Sequence, residues 1–284
     1  MSIGSMIINL GNIVFGGKGN GGSSTASAYV VPDGMSFARS SLTEFSTEGL
    51  DFSQKTDFSY CWYHCQSLTS FPALDLSKGT NFQYAWGYCS ALTEFPQLDV
   101  HNGMTFMRAW ENCTSLTSFP VIDTSKGTNF QYTWRYCSKL KEFPALNLSK
   151  GIEFYHTWEN CTSLTSFPAL DLSKGTNFQY AWASCSSLTD FAQVDLSAGT
   201  KFQYAWTKCS SLTTLGGFGA IKENFDLSYC SKLTAESIMN VITQAADLNE
   251  LGLTGKRMTL GSTNLAKLTD EQKAIATNKG WTLA

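Results

Sequence analysis

Side chains that can ligate a metal, form a disulfide or act as a nucleophile recur in this chain at a fixed interval. Cysteines stand at Cys65, Cys89, Cys113, Cys137, Cys161, Cys185 and Cys209, every 24 residues, with Cys61 and Cys230 outside that series. Aspartates recur at Asp75, Asp99, Asp123, Asp171 and Asp195, with Asn147 in the remaining copy. The histidines are His64, His101 and His156. Zinc needs two close ligand pairs, and only Cys61 and Cys65 form one, as C-x3-C. The nine cysteines are also an odd count for a disulfide framework. A calcium ladder needs the paired Asp and Gly spacing of calcium repeats, which is missing. A carboxylate at a fixed turn position hydrogen-bonds its own backbone instead. The histidines replace Tyr, Asn, Lys or Ser at variable positions and read as surface residues. There is no nucleophile elbow, P-loop or dinucleotide fingerprint. The expectation is therefore a protein that is not an enzyme, with no catalytic residue, no metal and no cofactor. Its cysteines are expected to be reduced and to serve as small core hydrophobes.

The elements that carry these residues share the same period. Trp62, Trp86, Trp110, Trp134, Trp158, Trp182 and Trp206 are spaced by 24, and a phenylalanine precedes each by four residues. A leucine follows each periodic cysteine by three, then a phenylalanine, replaced by Leu215 in the last copy. Proline follows five of these phenylalanines, at Pro72, Pro96, Pro120, Pro144 and Pro168. In the unit 79–100, Gly79 and Thr80 read as a turn and helix N-cap. Phe82, Ala85, Trp86 and Cys89 lie at i, i+3, i+4 and i+7, one face of a short helix. Leu98 and Val100 alternate around Asp99 as in a half-buried strand. Helices this short are marginal alone, so stacking must stabilise them. The expected fold is a repeat solenoid with a short helix and a short strand per 24-residue unit, running from about 53 to 215, between atypical end copies.

Three regions are expected: an N-terminal anchoring segment and Gly-rich linker at 1–35, the solenoid at 36–232, and a small α/β helical cap at 233–284. Met6 to Phe15 reads either as an anchoring peptide or as an edge strand of the solenoid cap, and Gly16 to Ser24 as a tether. The N-terminus lacks the basic region of a secretory signal. In the cap, helices are expected over Glu236–Ala246 and from Thr269 to Asn278, with Gly280 as C-cap and a strand at Met258–Leu260. The chain is 284 residues, 43% hydrophobic and only 15% charged, with net charge −3. That argues against nucleic acid, which needs clustered Lys and Arg. No apolar run is long enough to span a membrane.

The repeated A-W-x-x-C-S-x-L-T-x-F pattern resembles the BspA-like leucine-rich repeat family, over more than half the chain. The period of 24, the Trp in the aromatic slot and the proline after Phe depart from it. The closing stretch Leu265–Leu283 resembles the ends of repeat-bearing tail-fibre and other virion proteins of bacterial viruses. With Met6–Phe15 it implies a virion protein assembled in the host cytoplasm, as a tail or head fibre attaching to the host surface. The alternatives are a purely structural decoration protein and a BspA-like adhesin at the bacterial surface. The implied partners are other virion proteins through the N-terminal segment, a host-surface glycan or protein, and further copies of the chain.

One stripe is the candidate contact surface. Two residues after each repeat Phe, ~200° around an expected helix, come Tyr60, Tyr84, Arg108, Tyr132, His156, Tyr180 and Tyr204. An outward ladder of aromatic and planar polar groups suits carbohydrate or protein recognition. The same tyrosines would also be explained by stacking on one another as a shield over the scaffold. A second candidate surface is the Thr/Ser series of the extended segment, such as Thr69/Ser70 and Thr165/Ser166.

Overall fold

The computed structural model describes strand β1 (Met6–Ile7) and residues 28–284. The rest of the expected anchor and tether lies outside the described residues. Strands β2 (Tyr29–Val30), β3 (Met35–Ser36) and β4 (Leu50–Asp51) precede the repeats. Strands β5 (Ser166–Phe167), β6 (Asp190–Phe191) and β7 (Thr214–Leu215) fall within them. After the repeats come β8 (Phe225–Asp226), α1 (Ala235–Gln244), β9 (Arg257–Thr259), α2 (Gly261–Leu265), α3 (Asp270–Asn278) and β10 (Thr282–Leu283).

Each copy forms one rung laid on the next. A parallel bridge series joins Asp57, Asn81, Thr105, Asn129, Glu153, Asn177 and Lys201. A second joins Glu142 to Ser166 and continues through β5, β6 and β7. The sheets are small, of two or three strands, and unclosed. The architecture fits a repeat solenoid.

The expected helix is absent from the repeats; tandem turns take its place. In the rung around Trp134, the N–H groups of Thr133, Arg135 and Cys137 bond back to the carbonyls of Phe130, Tyr132 and Trp134 at 3.1–3.2 Å. The intervening N–H groups of Phe130, Tyr132, Trp134 and Tyr136 bond forward at 2.8–2.9 Å, to Glu153, Tyr155, Thr157 and Glu159 of the next rung. Two residues per rung adopt positive φ to allow this, here Tyr132 at 58° and Tyr136 at 61°. Positive φ at the third residue of a hydrogen-bonded turn is the type II geometry, which favours Gly or Asn. For other L-residues the left-handed region costs roughly 1–2 kcal/mol each. A helix would avoid that strain but turn every N–H inward on its own segment, leaving the rungs unbonded. The burial pattern i, i+3, i+4, i+7 survives because successive turns also return the chain to the core about every three to four residues. The periodicity therefore located the buried side chains correctly and misassigned the backbone.

The core is a set of aromatic columns. The seven periodic tryptophans are fully buried and stack at 5.3–6.1 Å between centroids. Phe58, Phe82, Phe106, Phe130, Phe154, Phe178 and Phe202 stack beside them at 5.3–5.6 Å. The second phenylalanine series meets the tryptophans edge-to-face, Trp134 to Phe143 at 4.8 Å and 79°, a preferred geometry for aromatic pairs. None of the seven indole Nε1 atoms has a hydrogen-bond partner. All nine cysteines are buried and free. Each thiol from Cys89 to Cys209 donates to the tryptophan carbonyl of the preceding rung at 3.0–3.3 Å. Burial pushes the Cys113 and Cys161 thiols up to about 12.

Hydroxyls and amides do on the outside what thiols do inside. Thr93, Thr117, Thr165, Thr189 and Thr213 each donate through Oγ1 to the backbone carbonyl one rung back, at 3.0–3.4 Å. The periodic Asp75, Asp99, Asp123, Asn147, Asp171 and Asp195 accept from the N–H two residues on, the backbone role expected of them. Hydrogen bonds from the Ser77, Ser125 and Ser173 hydroxyls, together with those backbone bonds, hold the carboxyls of Asp75, Asp123 and Asp171 below the usual range.

The ends are closed differently. Phe37 lies on Trp62 at 6.4 Å and Phe218 lies on Trp206 at 4.4 Å, so neither end of the indole column is bare. At the far end β8, β9 and β10 form a parallel sheet in the order β10-β9-β8. Helix α3 begins with a capping box between Thr269 and Gln272, and Gly280 follows it at φ 84°. Trp281, outside the period, donates its Nε1 to Ala246 O at 2.9 Å.

The repeat glycines are needed for space and not for backbone freedom. Gly151 has ordinary φ, yet a Cβ there would overlap the Phe154 ring. Gly→Ala at a permissive φ normally stabilises by about 0.4–1 kcal/mol; Gly151→Ala should instead lower the urea midpoint. A raised midpoint would mean the ring column is loose.

Candidate binding surface

The stripe identified in the sequence is brought together as one continuous stack. Tyr60 lies on Tyr84 at 4.6 Å. The Arg108 guanidinium sits between Tyr84 and Tyr132, 5.2 and 3.9 Å from their centroids. Tyr132 lies on His156 at 4.9 Å, His156 on Tyr180 at 4.5 Å, and Tyr180 on Tyr204 at 4.8 Å. All seven residues have positive φ, between 55° and 60°, so the left-handed backbone aims each one away from the core.

Stacking leaves edges and hydroxyls exposed and covers most ring faces. Tyr60 and Tyr204 at the two ends are 41% and 55% exposed. His156, expected to be a surface residue, is only 8% exposed. The reason is a charged zigzag that single-position reading missed. His156 Nδ1 donates to Glu159 at 2.6 Å, and Arg135 pairs with Glu159 and, at 3.3 Å, with Glu111. Glu111, fully buried, pairs with Arg108 at 3.0 Å. Arg135 also lies over Tyr132 and Tyr136, at 5.4 and 4.5 Å. The sequence signal was available: opposite charges recur at one repeat position in consecutive copies, Glu111, Arg135 and Glu159. A parallel rung register sets such positions side by side.

Burial works against the charge of Glu159, but hydrogen bonds from His156 and Arg135 and their positive charge hold its carboxyl below the usual range. Burial likewise opposes the Arg108 charge, and Glu111 together with Tyr84 and Tyr132 more than offsets it. Arg108, Arg135 and Glu159 therefore stay ionised within the ladder. His64 and His101 take no part in it: His64 stacks on Tyr88 at 4.4 Å, and His101 bonds Asp99 at 2.6 Å. Among the described residues no group of three or more His, Cys, Asp or Glu side chains could hold a metal ion. No helix among them is long and apolar enough to cross a membrane.

No protein family matches the chain, and no curated protein matches it. Among solved structures it is similar to a chain described as "Crystal structure of TLR13-ssRNA13 complex", at 13% identity and a TM-score of 0.30. The match covers 82% of this chain and 34% of that one, so the chain spans about a third of its length. Neither a BspA-like family nor a virion family is matched.

Glu159 supplies a pH test. Its carboxyl is depressed below the unfolded value of about 4.3, so it stabilises the fold above that pH and the benefit is lost as pH falls through the folded value. Glu159→Gln should destabilise at neutral pH, where it leaves Arg135 and His156 short of a carboxylate, and should flatten the acid limb of stability below about pH 4.3. An acid limb of unchanged slope in the variant would show that Glu159 is not coupled to the network.

Proposed function

We propose that this protein is a structural and binding component of a bacteriophage particle, a tail or head fibre that attaches to the host surface through its ladder face. The observation that carries the binding part is the unbroken stack from Tyr60 to Tyr204, held on a rigid array of rungs. Such a face gives a long, preorganised contact strip whose amphipathic edges are ordered before a partner arrives. The virion part is supported by the resemblance of the closing stretch to such proteins, taken together with the apolar Met6–Phe15 segment. Contacts with other virion proteins through the N-terminal segment, and with further copies of the chain, belong to the same proposal. The chain acts without chemistry of its own, and its cysteines remain thiols inside the rungs.

A purely structural decoration protein is the second reading. It is favoured by one observation: the interior ring faces of the ladder are already covered by neighbouring rungs.

Excess purified protein should block adsorption of the particles that carry it to host cells. Tyr60→Ser with Tyr84→Ser should lose that block, with only a small fall in melting temperature because both side chains are partly exposed. Full competition by the double variant would move the contact surface off the ladder. A large drop in melting temperature would favour the structural reading.

A further inference from the structure

The rung register fails at one place, and a groove opens there. Periodic cysteines lie 24 apart up to Cys209, but Cys230 follows after 21 residues. The shortened closing copy sends β8 away from the last full rung and pairs it with β9, Phe225 to Met258 and Asp226 to Thr259. Lys201 ends the parallel bridge series. In every earlier rung the N–H groups equivalent to those of Phe202 and Tyr204 donate to the next rung, as Phe178 does to Lys201 O at 2.9 Å and Tyr180 to Gln203 O at 3.0 Å. Those of Phe202 and Tyr204 have no acceptor among the described residues.

The resulting groove has a volume of about 470 Å³, within the range of small-molecule sites. Phe202 and Phe225 are its apolar lining, and Tyr204, Asp226 and Arg257 its functional groups. Tyr204 stacks on Tyr180 with one face only, and no second aromatic ring among the described residues covers the other. Arg257 is exposed, and among the described residues its guanidinium has no hydrogen-bond or ion-pair partner, while its backbone N–H bonds Asn224 Oδ1 at 2.7 Å. Asp226 spends one carboxylate oxygen on the Ser228 N–H at 2.8 Å, leaving the other open.

We propose that this groove is a saccharide-binding site that takes one neutral pyranose ring. A pyranose offers an apolar C–H face and a rim of hydroxyls that both donate and accept. The C–H face seats on the open face of Tyr204. Hydroxyls donate to the free oxygen of Asp226 and accept from the Arg257 guanidinium and the N–H groups of Phe202 and Tyr204. One cation facing one carboxylate balances charge across the groove and matches an uncharged ring; an acidic sugar would set a second carboxylate against Asp226. The assignment is independent of the virion reading, since the site lies at the end of the stack and is tested on the isolated protein.

Titration of the full chain with the methyl β-glycosides of glucose, galactose and N-acetylglucosamine, followed by saturation-transfer NMR and calorimetry, tests it. At least one should bind. Arg257→Ala and Asp226→Asn should each weaken it by about tenfold or more, since each removes a charged hydrogen-bond partner. Asp226→Asn retains an oxygen for the Ser228 N–H, so its melting temperature should match wild type. Met104→Ala, exposed on an earlier rung and outside both the ladder and the groove, should bind as wild type does. Absence of binding by all three glycosides overturns the proposal. So does affinity unchanged in both Arg257→Ala and Asp226→Asn, or binding confined to an acidic probe such as the methyl glycoside of N-acetylneuraminic acid.

Discussion

Everything in the repeats follows from where alternate backbone N–H groups go. Through the tandem turns of each rung, half close turns within the rung and half reach carbonyls of the next. This is satisfied only if every rung has the same length and the same turns, so the 24-residue period is a hydrogen-bonding constraint before it is a packing one. A buried N–H without a partner costs on the order of 1–3 kcal/mol, comparable with the strain of one left-handed residue. The rungs therefore accept positive φ at tyrosine, arginine, histidine and lysine in exchange for backbone hydrogen bonds from rung to rung.

Side-chain identities answer to the same constraint. A thiol at Cys137 reaches the Trp110 carbonyl at 3.3 Å, and Thr133 reaches the Phe106 carbonyl at 3.0 Å from the slot that holds alanine in other rungs. Threonine, serine, asparagine and aspartate carry bonds between or within rungs at most exposed positions. A hydroxyl of the right length bridges two rungs, and a long charged side chain does so where an amide oxygen, as for Lys78 and Lys126, or an opposite charge sits in the adjacent copy. The run Glu111, Arg135, Glu159 is that case.

The inward residues, the stacking period and the turn role of the aspartates were all legible in the sequence, because each is fixed by residue type at a constant spacing. The segments that form α1 and α3 were legible too, the second from its start at Thr269. The backbone of the rung was not. Phe82, Ala85, Trp86 and Cys89 fit a helical face and a chain of type II-like turns equally well, and only inter-rung hydrogen bonding separates the two. Gly79 closes the turn read for it, its N–H bonding Leu76 O at 2.8 Å, and its absent Cβ also makes room for the Phe82 ring. The candidate stripe was legible as a series, but its self-stacking and the burial of His156 depend on the register between copies. The end groove was beyond reach of the pattern, since it arises where the pattern stops.

The central claim is that one continuous aromatic column, bonded rung to rung, holds the repeats together as a unit. Trp134 is the middle indole, fully buried and stacked on Trp110 at 5.8 Å and Trp158 at 6.1 Å. The most direct measurement is equilibrium urea unfolding of Trp134→Ala against wild type. The column predicts a loss of about 3–5 kcal/mol, the cost of a large void in a packed core. An unfolding midpoint indistinguishable from wild type would contradict it.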